Sequence, residues 1–126
     1  MENAGAKKLL VIDDDPSLLK LVETLLKSRG YEVITANEAP VGLEIAYKTD
    51  LDLIILDVMM PVINGFNICR LLKSEESRKH IPIILLTSRA EEDDYCIGIE
   101  VGADAYFSKP FETKDFLAKV EEILKR

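Results

Sequence analysis

Short apolar runs recur along the chain and alternate with longer segments whose apolar residues follow helical spacing. The short runs contain β-branched or aromatic residues and end in turn formers or charges, which is typical of strands. Because most of them are apolar almost throughout, they favour strands that are buried on both sides of a sheet. Five strands are predicted, at 8–13, 31–36, 52–57, 81–87 and 104–109.

The segments between these runs fit amphipathic helices. In 16–29 apolar residues recur at i, i+3, i+4 and i+7, which places them on one face. Asp15 is a suitable N-cap for this helix, with Pro16 at its first position, and Gly30 stands where the helix should end. The other predicted helices span 38–49, 65–75, 91–101 and 112–125.

Strict alternation of strand and helix predicts an α/β fold with a parallel sheet and helices on both faces. Five such units are too few for an eight-stranded barrel, so an open, doubly wound, five-stranded sheet with five helices fits better. The short connections predict a single domain over 1–126, with 1–6 as a flexible N-terminal tail.

Polar residues collect where the predicted strands end. In an open α/β sheet the ligand site lies at the carboxyl ends of the strands. The first strand ends in Asp13 and Asp14, the third in Asp57, the fourth in Thr87, and the fifth runs into Lys109. A strand order of 2-1-3-4-5 would make strands 1 and 3 neighbours and bring the three carboxylates together.

Such a carboxylate cluster needs a compensating positive charge. Two are available: Mg²⁺, which prefers oxygen ligands, and the ammonium group of Lys109. This inventory suits phosphoryl transfer, in which Asp57 acts as a nucleophile and forms an acyl phosphate. The cation and Lys109 would neutralise the transferred group, and the Thr87 hydroxyl could donate to a phosphoryl oxygen.

Composition limits the remaining possibilities. A net charge of −7 and a pI near 4.8 argue against direct nucleic-acid binding by this domain, which would need clustered Lys and Arg. No apolar run is long enough for membrane insertion, and the start lacks the apolar core of a signal peptide, so a cytoplasmic location is predicted. The two cysteines fit neither a zinc site nor a disulfide scaffold.

Several motifs, taken in order, resemble the receiver domain of two-component response regulators. The resemblance extends over residues 7–125 and implies a flavodoxin-like sheet of order 2-1-3-4-5. The motifs are VIDDDP (11–16), LDVMMPVINGF (56–66), LLTSRA (85–90) and GADAYFSKPF (102–111).

The resemblance also implies roles in metal binding and phosphorylation. Asp57 matches the phosphoacceptor, and Asp13 and Asp14 match the acidic pair that holds Mg²⁺, with Asp14 the more direct ligand. Met59 matches the position whose backbone carbonyl completes the metal site, together with the carboxylate of Asp57.

Three further positions match the switch that follows phosphorylation. Lys109 matches the residue that contacts the phosphoryl group, and Thr87 matches the switch hydroxyl. Tyr106 matches the aromatic residue that turns inward when the hydroxyl moves. The Lys109–Pro110 bond is expected to be cis, as is usual in this family.

The implied function is a phosphorylation-activated signalling switch that turns over no separate substrate. Its phosphoryl donor would be a sensor histidine kinase or a histidine phosphotransfer protein. Phosphorylation would shift the surface of the fourth helix, the fifth strand and the fifth helix, and so control a downstream protein or an output domain. The domain would be a monomer or a weak, phosphorylation-dependent dimer.

Three other functions are compatible with parts of the sequence. A flavodoxin-like cofactor binder would have a phosphate loop after the first strand, but Asp13–Asp15 would repel a flavin phosphate. A metal-dependent phosphatase with an Asp nucleophile would have a second Asp at position 59, which is Met. The third is a metal-binding interaction module that is not phosphorylated.

Overall fold

The strands and helices lie close to where the sequence predicts them. The structure is a computed structural model that describes residues 5–88, 97 and 100–126. Within these residues each element ends within two residues of its predicted boundary. The elements are β1 (Lys8–Ile12), α1 (Pro16–Lys27), β2 (Glu32–Ala36), α2 (Ala39–Lys48), β3 (Leu53–Asp57), α3 (Gly65–Ser74), β4 (Ile83–Thr87), β5 (Ala105–Ser108) and a C-terminal helix (Thr113–Leu124).

Two sequence-based predictions fall largely outside the described residues. Of the helix predicted at 91–101, only Ile97, Glu100 and Val101 are described; the first two are helical, and the Val101 amide donates to the Ile97 carbonyl at 2.9 Å. The count of five helices therefore stays a prediction. Of the predicted N-terminal tail, only Gly5 and Ala6 are described.

The five strands form one parallel sheet of order β2-β1-β3-β4-β5, which confirms the predicted topology. The register pairs Ile12 with Leu56 and Thr87 with Ser108, so the strands end at a common edge. The central position of β1 and β3 places the residues after Ile12 beside the end of β3.

The core lies on both faces of this sheet. In β3, Leu53 and Ile55 pack with α1 and the C-terminal helix, whereas Ile54 and Leu56 pack with α2 and α3. Every residue of β3 is buried, and all are apolar except Asp57, which ends the strand. No helix in the described part of the chain has both the length and the apolar character needed to cross a membrane.

The start of α1 confirms the capping predicted from the sequence. The Asp15 carboxylate accepts from the amides of Ser17 at 3.0 Å and Leu18 at 3.4 Å, and Pro16 occupies the first turn. This cap satisfies amides that have no partner within the helix. Asp15 therefore has a different role from Asp13 and Asp14, because its carboxylate caps the helix.

Candidate functional site

β1 delivers two carboxylates with different environments to the carboxyl edge of the sheet. Asp13 continues the pairing with β2, because its amide donates to the Ala36 carbonyl at 3.1 Å. Its side chain is buried, and one carboxylate oxygen accepts from the Asp15 amide at 2.9 Å. Asp14, the next residue, is exposed to solvent at this edge.

β3 delivers the third carboxylate into the space beside this pair. Asp57 is the last residue of the strand and is only 3% exposed. The strand end is held in the sheet by the next residue, because the Val58 amide donates to the Leu86 carbonyl at 2.8 Å. The carboxylate is therefore carried by a rigid part of the fold.

The three carboxylates converge as the strand order predicted. Asp13, Asp14 and Asp57 each offer an oxygen, and these atoms all lie within 4.8 Å of one another. The Lys109 ammonium nitrogen lies 3.0 Å from an oxygen of Asp13 and 3.1 Å from an oxygen of Asp57. Lys109 therefore supplies one of the two positive charges predicted to compensate the carboxylates, and it bridges the two that are buried.

The electrostatics of the cluster favour cation binding. Burial and the neighbouring Asp13 carboxylate raise the pKa of Asp57 from its ordinary value of 3.8 to about 6, against the opposing effect of Lys109. Burial alone would lower the pKa of Lys109, but its hydrogen bond and charge interactions with Asp13, and those with Asp57, raise that pKa. One ammonium group thus leaves the carboxylates short of positive charge.

Of the other predicted site residues, Met59 and Thr87 lie at this edge, whereas Tyr106 lies within β5, paired with Leu85. Met59 follows Asp57 in the loop, its amide donates to the Asp57 carboxylate at 3.4 Å, and its side chain is largely exposed. Thr87 ends β4 and is fully buried, while Tyr106 on β5 is half-buried against the core. The Lys109–Pro110 bond is cis, which confirms that prediction.

Gly65 is a site residue that the sequence analysis missed. It begins α3, and its amide donates to the Val58 carbonyl at 2.9 Å. A Cβ atom at this position would lie 2.4 Å from the carbonyl oxygen of Asp57 and 2.9 Å from the Cα of Val58. The Asn64-Gly65 pair was a visible turn signal in the sequence, but it did not show which backbone the glycine approaches.

Replacing Gly65 with Ala is expected to lower the free energy of unfolding by about 1–3 kcal/mol, because the added methyl group meets fixed backbone. It should also slow any reaction at Asp57, since the backbone that must shift is that of Asp57 itself. Gly42→Ala is the control, because the three atoms nearest to a Cβ there belong to a side chain, that of Ile12, the closest at 2.5 Å, and not to the backbone. Equal destabilisation in chemical denaturation and equal reactivity of both variants would contradict this role.

The sequence matches the model of a known protein family over most of its length. The model of the response regulator receiver domain matches residues 9–121. The chain belongs to the response regulator receiver domain family. This membership is consistent with a phosphorylation-activated signalling switch and gives no support to a flavin-binding protein or a phosphatase of the same architecture.

Individual relatives agree with the family assignment. The alkaline phosphatase synthesis transcriptional regulatory protein PhoP of Bacillus subtilis is 41% identical over 120 residues, which cover 95% of the receiver and 49% of PhoP. The receiver thus spans about half the length of the curated relatives it matches.

Solved structures share the fold over nearly the whole chain. The chemotaxis protein CheY4 of Vibrio cholerae superposes with a TM-score of 0.87 at 33% identity, covering 94% of the receiver and 98% of CheY4. The receiver domain of sensor histidine kinase PA1611 from Pseudomonas aeruginosa has a TM-score of 0.87 at 25% identity, with 96% and 99% covered. That structure contains a magnesium ion coordinated in its active-site cleft.

Proposed function

We propose that Asp57 accepts a phosphoryl group from a phosphohistidine donor in a magnesium-dependent reaction. The observation that carries the proposal is the convergence of three carboxylates within 4.8 Å, with the Lys109 ammonium 3.1 Å from Asp57. In the transfer, a carboxylate oxygen of Asp57 attacks phosphorus as the phosphorus–nitrogen bond breaks. The electron pair of that bond stays on the imidazole of the donor, and the product is an acyl phosphate.

The oxygen ligands at this edge fit Mg²⁺. Asp13, Asp14 and Asp57 offer hard carboxylate oxygens, and the backbone carbonyl of Met59 is proposed as a further ligand. A bound Mg²⁺ would supply electrostatic stabilisation to the phosphoryl oxygens and charge balance to the carboxylates. The receiver domain of PA1611, which shares this fold, contains a magnesium ion coordinated in its active-site cleft.

Lys109 and Thr87 would then respond to the new group. The ammonium of Lys109 already contacts Asp57 and can donate to an oxygen of the transferred phosphoryl group. That group adds roughly two negative charges to the side chain. The buried hydroxyl of Thr87 ends the neighbouring strand and would move toward the same group. Tyr106 would turn into the space that Thr87 leaves.

Phosphorylation is proposed to change the surface that controls the downstream partner. This surface is formed by β5, the C-terminal helix and the helix predicted at 91–101, the fourth of the five predicted helices. The upstream partner would be a sensor histidine kinase or a histidine phosphotransfer protein. The downstream partner would be another protein or an output domain. Matched relatives are about twice as long and include transcriptional regulators, so DNA binding would belong to another part of such a protein.

The remaining properties follow from the same proposal. With a net charge of −7 the receiver itself would not bind nucleic acid directly. It would act in the cytoplasm as a monomer or a weak, phosphorylation-dependent dimer. It would assist its own phosphorylation and dephosphorylation without turning over a separate substrate.

The proposal is tested by incubating the purified receiver with acetyl phosphate and Mg²⁺. Intact mass spectrometry should show the addition of one phosphoryl group, which EDTA prevents and hydroxylamine removes, as expected of an acyl phosphate. Calorimetry with Mg²⁺ alone measures the metal site separately. Magnesium binding without labelling would overturn the phosphoacceptor proposal and support the metal-binding interaction module.

A further inference from the structure

Val62 combines two unfavourable features in the loop between β3 and α3. Its φ angle is 74°, the only positive value at a non-glycine position among the described residues. For a β-branched residue this backbone conformation is a genuine outlier, because the branched side chain crowds its own backbone. The side chain is also 86% exposed, so burial of apolar surface within the fold does not offset that strain.

Neither feature helps the receiver to fold. Glycine or asparagine at position 62 would adopt the same backbone conformation with less strain and would expose no apolar side chain. Strained residues that persist without a folding benefit are concentrated at functional sites. Val62 lies in the loop that follows Asp57, which points to a contact made outside the fold.

A cleft beside Val62 provides a place for that contact. It has a volume of about 220 Å³ and lies between the start of α2 and the loop that carries Val62. Most of its wall is apolar and rigid, because it includes the rings of Pro40 and Pro61. We call it the Val62 cleft, lined by Asp14, Asn37, Glu38, Ala39, Pro40, Pro61 and Val62.

The rim of the Val62 cleft is acidic and is shared with the candidate metal site. Asp14 lines the cleft and also belongs to the carboxylate cluster with Asp57. Glu38 also lines the cleft, is exposed and makes no side-chain capping bond to α2. The charge of the rim favours a partner with a basic group and disfavours a second copy of this chain, whose net charge is −7.

We propose that the Val62 cleft docks the protein that donates the phosphoryl group. An apolar side chain of the donor fills the cleft against Val62 and the two prolines, and a basic side chain pairs with Glu38. The donor is the partner that fits, because its phosphohistidine must reach Asp57 and its surface then covers the adjoining rim at Asp14. This inference rests on the proposed phosphorylation of Asp57.

Two donors of different size separate docking from chemistry. The probes are acetyl phosphate and two sets of purified, phosphohistidine-labelled proteins encoded in the source genome: the transmitter domains of the sensor kinases and the histidine phosphotransfer proteins. Val62→Asn is expected to lower kcat/KM for the fastest of these protein donors by about tenfold, as for a residue near the centre of an interface. The rate with acetyl phosphate should stay within twofold of wild type, because that donor has no surface to dock.

A second variant and a stability measurement exclude a purely structural effect. Glu38→Lys should lower the same protein-donor kcat/KM without changing the acetyl phosphate rate. Val62→Asn should raise the thermal midpoint by about 2–5 °C, because the strain is relieved. Leu71→Gln is the matched control, since Leu71 is 42% exposed on α3 but does not line the Val62 cleft.

Each outcome decides between the possibilities. Unchanged transfer from the protein donor in Val62→Asn, or an equal loss in Leu71→Gln, would overturn the docking proposal and leave the phosphorylation of Asp57 intact. A wild-type receiver that acetyl phosphate labels but no protein donor labels would overturn it as well. Failure of acetyl phosphate to label the wild-type receiver would instead reject the phosphorylation of Asp57.

Discussion

The Asp57→Asn variant will accept no phosphoryl group from acetyl phosphate, and in EDTA it will be more stable than the wild-type receiver. The loss of labelling follows from removal of the nucleophilic oxygen, because an amide cannot form the acyl phosphate. The gain in stability follows from the raised pKa of Asp57, which records that the fold favours the neutral side chain. Asparagine supplies that neutral side chain at every pH.

The sign and the pH window follow from proton linkage. The Asp57 pKa is 3.8 in the unfolded chain and about 6 in the fold, so between these values the folded state binds more protons. The wild-type receiver therefore loses stability through this group as the pH rises through about 6. The variant avoids that loss, and since one pKa unit corresponds to about 1.4 kcal/mol, its advantage at pH 7.5 should be on the order of 3 kcal/mol.

Urea denaturation in EDTA at pH 7.5 and at pH 5 measures this prediction. The advantage of Asp57→Asn should shrink at the lower pH, where the wild-type side chain is itself mostly protonated. Asp15→Asn is the matched control, because it removes one charge from the same edge while asparagine remains a good N-cap. A variant that is less stable than wild type at pH 7.5 would contradict the electrostatic account, and labelling of Asp57→Asn would place the phosphoacceptor elsewhere.

Much of the fold and the carboxylate cluster could be predicted because both depend on local patterns. The apolar run of β3 stops at Asp57 because this residue, although buried, reaches the carboxyl edge of the sheet, where an open α/β fold places its ligand site. Asp13 and Asp14 follow β1 for the same reason. Once these strands are neighbours, their carboxylates must meet at one edge, and the alternation of strands and helices predicted such a sheet.

The features that the sequence did not predict depend on contacts across the fold. Gly65 reads as a turn residue, but its close approach to the backbone of Asp57 exists only after α3 packs against the end of β3. The positive φ angle of Val62 opposes the preference of a β-branched residue, so no propensity could have indicated it. The bridge from Lys109 to Asp13 joins residues 96 positions apart, and its geometry depends on the whole sheet.

The Lys109→Met variant is expected to bind Mg²⁺ more tightly than wild type and yet to be phosphorylated much more slowly. In the receiver the Lys109 ammonium lies 3.0 Å from an oxygen of Asp13 and 3.1 Å from an oxygen of Asp57, where it neutralises the same carboxylates that a cation would use. Removing it leaves the cluster with more uncompensated charge, so the Mg²⁺ dissociation constant should fall about tenfold, equivalent to about 1.4 kcal/mol.

The same substitution removes a donor from the transferred phosphoryl group. Loss of one such donor typically slows a reaction by about 10²–10³-fold, and acetyl phosphate labelling at saturating Mg²⁺ should slow to that extent. Isothermal calorimetry measures the metal affinity, since the chain has no tryptophan to report it by fluorescence. Lys109→Arg, which keeps the charge, should bind Mg²⁺ about as wild type does. Weaker Mg²⁺ binding by Lys109→Met would show that Lys109 organises the carboxylates for the metal, whereas tighter binding with slow labelling would show that it competes with the metal and then serves the phosphoryl group.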